Sequence, residues 1–463
     1  MLIELNWHAL RGSSVGKTTS LVNKTALGAL ALGALLLSAC ANDTATIPSR
    51  PNYQPPVVQL PPAGPPALDP TAFIRMNHMG LQEPIRVALL LPLGAESRGV
   101  RNIAQALQNA AQLALFEYGN ANVLLITKDT GGHAADARIA AEEAIREGAN
   151  IILGPLFAQS VSAVAPIARD YDVPVIAFST DATVAGEGVY LLSFLPEQDV
   201  TRVVDYASQT GLTRFAGMIP QKEYGIRVSA AYRQAVEERG GVVAGMVTYP
   251  SDPQAMFDPA RKLAGYNQRK AALKAERARL ASVGTPETKA RLKRLEHFDT
   301  IGDVNFDAVL IPAGGDELRS AAPLLPYFDI DPRKVQFLGT GLWDDASLGR
   351  EPALVGGWYA APPRGEQKAF VSRYRKTFGT RPPRIASLAY DATSLAAALA
   401  DGVIDSPYSV AVLTDPEGFA GTDGIFRFLA DGTNERGLAV MEVRPNGAKV
   451  ISPAPQSFRP QAF

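Results

Sequence analysis

The sequence predicts an α/β protein of two lobes, each built on a doubly wound parallel sheet. Short apolar runs alternate with stretches of helical periodicity from residue 84 onward, and the alternation restarts near residue 197. Strands separated by helices of roughly 10–15 residues form right-handed βαβ units, because parallel neighbours need a crossover connection. The length of 463 residues is sufficient for two such cores.

The first lobe is predicted from the strand that opens it. Ile85–Leu93 is an almost continuous apolar run, which is typical of a parallel strand buried on both faces. Asn102–Tyr118 then repeats apolar residues at helical spacing. The same alternation predicts the remaining elements of this lobe: strand 122–128, helix 134–147, strand 150–153, helix 160–170, strand 174–178 and a short strand 188–194.

The second lobe is predicted to occupy about residues 197–340. Its predicted elements are helix 197–209, strand 215–219, helix 224–239, strand 241–249, strand 306–312, helix 316–326 and strand 335–339. A late helix, 385–399, precedes two further strand-like segments, 421–428 and 437–443, which we expect to return to the edge of the first lobe. The whole two-lobed body is predicted to span residues 84–455, with a tail at 456–463.

The composition excludes several classes of protein. With 46% hydrophobic and 20% charged residues the chain is neither disordered, collagen-like nor a multi-span membrane protein. A formal net charge of -1 argues against a nucleic-acid partner bound through bulk charge. One cysteine and four histidines make an internal disulfide impossible and a metal site or other cofactor unexpected. No catalytic constellation is evident, so we expect a protein that is not an enzyme.

The N-terminal segment 1–39 is predicted to be a signal peptide. Basic residues precede the apolar stretch Ala26–Leu37, which is too short to span a bilayer comfortably. The stretch ends in Leu37-Ser38-Ala39-Cys40, which resembles a bacterial lipobox. The resemblance implies that Cys40 becomes a lipidated N-terminus, and Ala41 in place of Asp favours anchorage on the periplasmic face of the outer membrane. The alternative is an ordinary secretory signal with an incidental cysteine.

Residues 40–83 are predicted to be a disordered tether behind the lipidated cysteine. Nine of the twenty-three residues from Pro48 to Pro70 are proline, which fixes φ and removes the backbone donor. Such a segment stays extended and solvated, at roughly 3.1 Å per residue. It either holds the lobes at a distance from the membrane or serves as a passive linker.

Several turns carry a resemblance to known families. The cues are Asp129-Thr130-Gly131-Gly132, Gly154-Pro155-Leu156, Pro174–Thr180, Tyr224-Gly225 and Gly421-x-x-Gly424. In this order they resemble the type I periplasmic-binding fold of leucine-binding proteins, over residues 84–452. With the lipobox and the proline tether, the chain is most similar to the penicillin-binding-protein activator family. That resemblance implies an outer-membrane lipoprotein that activates a bifunctional penicillin-binding protein, a peptidoglycan synthase. The helical-repeat domain that some members carry is missing.

A small-molecule ligand is expected beyond the carboxyl ends of the strands, where backbone N–H groups and helix N-termini converge. Candidates occur in both lobes: Thr130, Ser160, Ser179, Thr180 and Thr183 in the first, Tyr224 and Asp316 in the second. The resemblance implies hydroxyls for an α-carboxylate, and an acid with a tyrosine for an α-ammonium group. Asp181 departs from that pattern because its carboxylate would repel a ligand carboxylate. Ser160 could instead be a helix N-cap, and the cleft could be an empty scaffold.

A basic segment interrupts the second lobe. Residues 261–294 contain eleven Lys or Arg and two acids, within a predicted helical insertion at 253–304. Two helices joined near Gly284 are predicted, with Thr285 as N-cap and Pro286 in the first turn. We expect either a solvated hairpin or an arm that docks on an acidic partner or an anionic glycan. Lys289, Arg291 and Arg294 are the candidate partner-binding residues.

Two functions remain open at this point. The first is a regulator that binds and activates a peptidoglycan synthase through contacts with its lobes. The second is a receptor that delivers an amino acid of the branched-chain type to an ABC importer. An outer-membrane anchor favours the regulator, because a receptor must reach a permease in the inner membrane.

Overall fold

A computed structural model describes residues 83–119, 122–400 and 406–459. The predicted signal peptide, Cys40 and most of the proline-rich tether lie outside the described residues. Over the described ranges, every helix is too short or too polar to cross a membrane.

The first lobe is a five-stranded parallel sheet. Its strands are β1 Ile85–Leu91, β2 Val123–Asp129, β3 Ile151–Leu153, β4 Val175–Ala177 and β5 Val189–Leu191, in the order β2-β1-β3-β4-β5. Six of the seven residues of β1 are buried, as predicted for a strand covered on both faces. The fold class predicted for this lobe is confirmed.

Helices cover both faces of this sheet. On one side lie α2 Ala134–Arg146 and α3 Ala158–Asp170, whose alanine and valine side chains pack on the even positions of β1. On the other side lies α1 Arg98–Tyr118. Two late helices complete this second layer: α11 Gly365–Phe378, which the sequence analysis missed, and α12 Ala386–Leu399, which packs along α1.

The second lobe is a seven-stranded sheet in the order β15-β14-β10-β9-β8-β6-β7. Its strands are β6 Arg214–Pro220, β7 Val242–Tyr249, β8 Ala308–Leu310, β9 Gln336–Gly339, β10 Trp358–Ala361, β14 Ala439–Arg444 and β15 Gly447–Ser452. The first five are parallel, whereas β14 and β15 are antiparallel to their neighbours. The prediction that 437–443 returns to the first lobe is therefore wrong, and the second lobe extends well beyond residue 340.

The helices of the second lobe again form two layers. α4 Pro196–Gln209 and α5 Glu223–Glu238 pack on one face. α6 Phe257–Leu263, α9 Gly315–Ala321 and α10 Leu324–Tyr327 pack on the other. The single helix predicted at 316–326 is divided, because Pro323 has no N–H to continue the α9 ladder.

A small antiparallel sheet lies where the chain passes between lobes. It contains β11 Phe419–Gly421, β12 Gly424–Phe428 and β13 Asn434–Arg436, and it follows the short helix α13 Val410–Leu413. Phe426 and Phe428 of β12 join the core of the first lobe. The chain changes lobes after β5, after β10 and after β13.

Between β7 and β8, the predicted insertion 253–304 contains α6, which was not predicted, and then two further helices, α7 Tyr266–Val283 and α8 Pro286–Leu295. α7 ends at Gly284, whose φ of 68° is left-handed and favours glycine. The Thr285 side chain accepts the N–H of Thr288 at 3.3 Å, and Pro286 follows in the first turn. The two-helix prediction is confirmed, and so is the turn between the helices.

Candidate functional site

Three hydroxyl residues gather at the carboxyl edge of the first sheet. Thr130 follows β2, Ser160 lies in the first turn of α3 after β3, and Ser179 follows β4. Thr130 is 1% exposed and Ser160 is 0% exposed. The turn after β2 is fixed by Asp129, whose Oδ1 accepts the N–H groups of Gly94 at 2.9 Å and Gly131 at 2.8 Å.

Two of these hydroxyls are not used by the protein. Among the described residues, the Oγ1 of Thr130 and the Oγ of Ser160 have no hydrogen-bond partner. A buried hydroxyl without a partner costs roughly 1–3 kcal/mol, so both groups have capacity for a ligand. Ser160 is not the N-cap of α3: that position belongs to Phe157, which makes no side-chain capping bond. The N-cap alternative for Ser160 is therefore wrong.

The polar groups of the loop after β4 form hydrogen bonds with one another. The Oγ of Ser179 accepts the N–H of Asp181 at 3.1 Å. Asp181 in turn accepts both the N–H and the hydroxyl of Thr183, at 3.0 and 2.7 Å. Thr180 and Thr183 are exposed. The carboxylate of Asp181 thus caps a short 3-10 helix, Ala182–Val184.

The second lobe contributes a tyrosine and two acids. The hydroxyl of Tyr224, at the start of α5, lies 2.8 Å from the Oγ1 of Thr340, which follows β9. Burial raises the pKa of Tyr224 well above its usual value, and the neighbouring carboxylates of Asp199 and Glu197 raise it further. Both acids belong to the first turn of α4. The sequence analysis missed them, although acids in a first helical turn after a lobe crossing were a visible signal.

The two acids of α4 have different environments. Asp199 is buried, and its Oδ2 accepts the N–H of Gly341 at 2.8 Å. Burial raises the pKa of Asp199 to about 7. Glu197 pairs with Arg227 at 2.6 Å through one oxygen, while its buried Oε2 has no hydrogen-bond partner among the described residues. Glu197 therefore keeps one acceptor for a ligand.

Asp316 does not join this group. Its side chain is fully exposed on α9 and pairs with Arg319 at 3.4 Å. The adjacent Glu317 turns inward instead and pairs with Lys222 at 2.9 Å, directly after β6. An exposed acid already paired on its own helix cannot hold a ligand ammonium group beside Tyr224, so the role predicted for Asp316 is wrong.

A buried polar network joins the lobes at the small sheet. The carbonyl of Ser193 accepts the Nε of Arg436 and the Nδ2 of Asn434, each at 2.9 Å. The guanidinium of Arg436 also lies 4.8 Å from the ring centre of Phe194. Burial and the charge of Asp423 raise the pKa of the neighbouring Asp391. Because Ser193 precedes α4 and Arg436 ends β13, this network ties two of the lobe crossings together.

The candidate partner-binding residues of α8 are all exposed. Arg291 pairs with Glu276 of α7 at 3.3 Å. Within the described ranges, Lys289 and Arg294 have no carboxylate within 4 Å. The structure thus leaves two of the three cations available to a partner.

Comparisons with known proteins agree with this architecture. A family model described as periplasmic binding protein matches residues 84–448. An uncharacterized protein of Rickettsia prowazekii is 19% identical over 187 residues, which is 40% of this chain and 49% of that protein. The chain thus matches about half the length of this relative.

Two solved structures resemble the fold. A branched-chain amino acid ABC transporter periplasmic ligand-binding protein of Burkholderia xenovorans has a TM-score of 0.57 at 17% identity. A solute-binding protein of Rhodopseudomonas palustris, in complex with 3,4-dihydroxybenzoic acid, has a TM-score of 0.52 at 18% identity. Each comparison covers 81% of this chain and 97% of the other. At such identities the likeness is one of fold.

Proposed function

This chain belongs to the periplasmic binding protein family, and we propose that it is a periplasmic receptor that binds a small amino acid between its two lobes. The observation that carries the proposal is the pair of buried hydroxyls of Thr130 and Ser160, unpartnered among the described residues, at the carboxyl edge of the first sheet. The family match and the printed ligands of related structures support it: one is named for branched-chain amino acids, and one contains an aromatic acid.

The first lobe supplies the groups for a carboxylate. Hydroxyls donate to carboxylate oxygens, and the first turn of α3 adds backbone N–H groups that are not used within the helix. Ser160 lies in that turn, whereas Thr130 follows β2, which is separated from β3 by β1. A ligand carboxylate at the first turn of α3 would satisfy the orphan hydroxyl of Ser160 and face the positive end of the helix dipole, and Thr130 offers a second hydroxyl at the same sheet edge.

The second lobe supplies the groups for an ammonium. Glu197 offers an unused carboxylate oxygen, and Tyr224 places a hydroxyl in the same region. An ammonium has three donors and requires acceptors such as these. Acids in one lobe and hydroxyls in the other therefore match a zwitterion, and binding would favour the arrangement in which both lobes contact it.

Calorimetry with free amino acids tests this proposal. We expect saturable binding of at least one aliphatic amino acid, and at least tenfold weaker binding by Thr130→Val and Ser160→Ala. The matched control is Thr380→Val, because Thr380 is exposed after α11 and is not among the candidate ligand residues. Benzoate and 3,4-dihydroxybenzoate serve as probes without an ammonium group. Absence of heat with every amino acid and both acids would rule the receptor function out.

A second candidate is the regulator of a bifunctional penicillin-binding protein. The supporting observation is the pair of exposed cations Lys289 and Arg294, which have no carboxylate partner among the described residues. The lipobox at Cys40 and the proline-rich segment support a site of action at the outer membrane. A regulator needs no ligand bound to the hydroxyls of Thr130 and Ser160, so amino-acid binding is expected of the receptor and not of the regulator.

Crosslinking in envelope extracts separates the two functions. The regulator predicts recovery of a transglycosylase–transpeptidase with the lipidated chain, and loss of that recovery in Lys289→Glu/Arg294→Glu. Arg291→Gln is the control, since Arg291 is already paired within the arm. Amino-acid binding without any recovered synthase would favour the receptor alone. Labelling of Cys40 with radioactive palmitate checks the anchor.

A further inference from the structure

The two-helix arm has a concave side that the proposed amino-acid site does not involve. A groove of about 470 Å³ lies between α7 and the turn after α8. Asn267, Lys270, Lys274 and Arg277 line it along α7, and Phe298 and Asp299 line the opposite wall. Phe298 is 57% exposed, so its ring is accessible to a partner.

Both walls of the groove are held in place. Arg277 donates to the carbonyls of Leu295 at 2.6 Å and Phe298 at 2.9 Å, which fixes the turn against α7. Arg269 donates to the carbonyl of Gly302 at 2.7 Å, on the far side of the same turn. Leu273 and Leu280 bury the inner face of α7. These contacts therefore fix the shape of the groove.

Most of the arm's positive charge is unneutralised. Arg261 pairs with Asp258, and Arg279 and Arg291 both pair with Glu276. Six further cations are exposed and, among the described residues, have no carboxylate within 4 Å: Lys262, Lys270, Lys274, Lys289, Lys293 and Arg294. Two of the six, Lys270 and Lys274, line the groove.

From this geometry we infer that the groove binds an extended acidic peptide segment of a partner protein, with acidic and aromatic residues in alternation. Lys270 and Lys274 lie one turn apart, which is about 6 Å along the helix axis. In an extended peptide, residues i and i+2 point to the same side at about 6.6 Å, so two alternate carboxylates meet both lysines. The residue between them points to the opposite wall, where Phe298 offers an aromatic surface.

The groove fits a peptide better than a membrane. A bilayer surface is flat, whereas this site is concave and about 15 Å long from residue 267 to residue 277, enough for four or five extended residues. Asn267 and Asp299 provide an amide and a carboxylate that hydrogen-bond to a peptide backbone.

Fluorescence anisotropy with a labelled Gly-Glu-Phe-Glu-Phe-Gly peptide at 0.15 M salt tests the inference on the full chain. We expect Lys270→Glu/Lys274→Glu to weaken binding at least tenfold and Phe298→Ala about fivefold. The matched control Lys262→Glu/Lys293→Glu makes the same charge change outside the groove and should stay within about threefold of the unmodified chain. Far-UV circular dichroism checks that each variant folds.

Three results would overturn the inference. Equal loss in the two double variants would show attraction by bulk charge. Binding of phosphatidylglycerol vesicles without binding of the peptide would indicate a lipid surface. No peptide binding up to millimolar concentration would show that the groove has no such ligand. None of these results bears on the amino-acid site, whose affinity should be unchanged in Lys270→Glu/Lys274→Glu.

Discussion

Asp199 is the most consequential single carboxylate in the second lobe. It is buried at the start of α4, and desolvation raises its pKa to about 7 although the N–H of Gly341 favours the charged form. The folded protein therefore holds a proton that the unfolded chain releases near its ordinary pKa of 3.8. The free energy of unfolding contributed by this group is greatest below that pKa, falls as the pH rises towards 7, and is constant above it.

The first prediction concerns this pH dependence. Asp199→Asn keeps an oxygen that accepts from Gly341 but removes the charge. Between pH 4.5 and 8, the unfolding free energy of the unmodified chain should fall by about 3 kcal/mol more than that of the variant. Urea titrations at a series of pH values measure this difference. Asp170→Asn, at an exposed position on α3, is the control and should keep the original slope. Parallel slopes for Asp199→Asn and the unmodified chain would contradict the prediction.

Residue positions after strands were predictable, whereas side-chain directions were not. Thr130, Ser160 and Ser179 were found because parallel strands bring their carboxyl ends to one edge. The role of Asp316 was wrong because successive residues of a helix face different directions. Asp316 points to solvent, whereas the next residue, Glu317, points inward and pairs with Lys222. Thr180 and Thr183 are exposed because their loop satisfies itself through Asp181.

At the scale of elements, the arm depends on one arginine. The NH2 group of Arg277 donates to the carbonyl oxygens of Leu295, Glu296 and Phe298, at the end of α8 and in its following turn. A helix of ten residues such as α8 is marginal by itself, so its stability comes from these bonds and from packing on α7. Loss of Arg277 should loosen the arm without unfolding the lobe.

The second prediction follows from that dependence. Arg277→Met keeps the aliphatic stem and removes the donors, and we expect local destabilisation of about 1–2 kcal/mol. Hydrogen exchange measured by mass spectrometry should show faster exchange confined to residues 266–302. Arg279→Met, which removes an exposed pair with Glu276, is the matched control and should change exchange little. An unchanged exchange rate in Arg277→Met would refute the capping role.

Elements were predicted well where the signal is local and poorly where it depends on distant pairing. Most helices and strands of residues 85–339 lie within a few residues of their predicted bounds, because periodicity is a local property; α6 was not predicted, and the helix predicted at 316–326 is divided. The placement of β14 failed because it depends on the edge that β10 presents, and β10 itself was missed. Tertiary pairing of this kind leaves no trace in a single stretch of sequence.

At the scale of the whole molecule, Arg436 links the lobes, because its backbone N–H donates to Gln198 of α4 at 3.0 Å and its side chain contacts the segment that leaves the first lobe. It is 6% exposed, its Nε donates to the carbonyl of Ser193, and its charge faces the buried carboxylates Asp391 and Asp423. Arg384 supplies a second cation, at 2.8 Å from Asp423. Buried charges of this kind are tolerated only when they remain paired.

The third prediction concerns that balance. Arg436→Met leaves two buried carboxylates facing one cation, and we expect global unfolding to require about 3–5 kcal/mol less free energy. Adding Asp391→Asn should recover part of the loss, because it removes the uncompensated charge. Urea unfolding followed by far-UV circular dichroism measures both variants. Arg427→Met, a half-buried residue of β12 paired with Glu435, is the control, with a loss below about 1 kcal/mol. Equal losses in Arg436→Met and Arg427→Met would refute the linking role.

The late position of α12 and β14 in the chain determines when either lobe can finish folding during synthesis. The strands of the first sheet are complete at residue 191, but the helix that covers α1 begins only at residue 386. At roughly 5–20 residues per second, a ribosome needs about 10–40 s to make the intervening chain. Helix α1 of the nascent first lobe therefore stays uncovered for that interval. Delayed closure would suit export of an unfolded chain, which the predicted signal peptide at 1–39 implies.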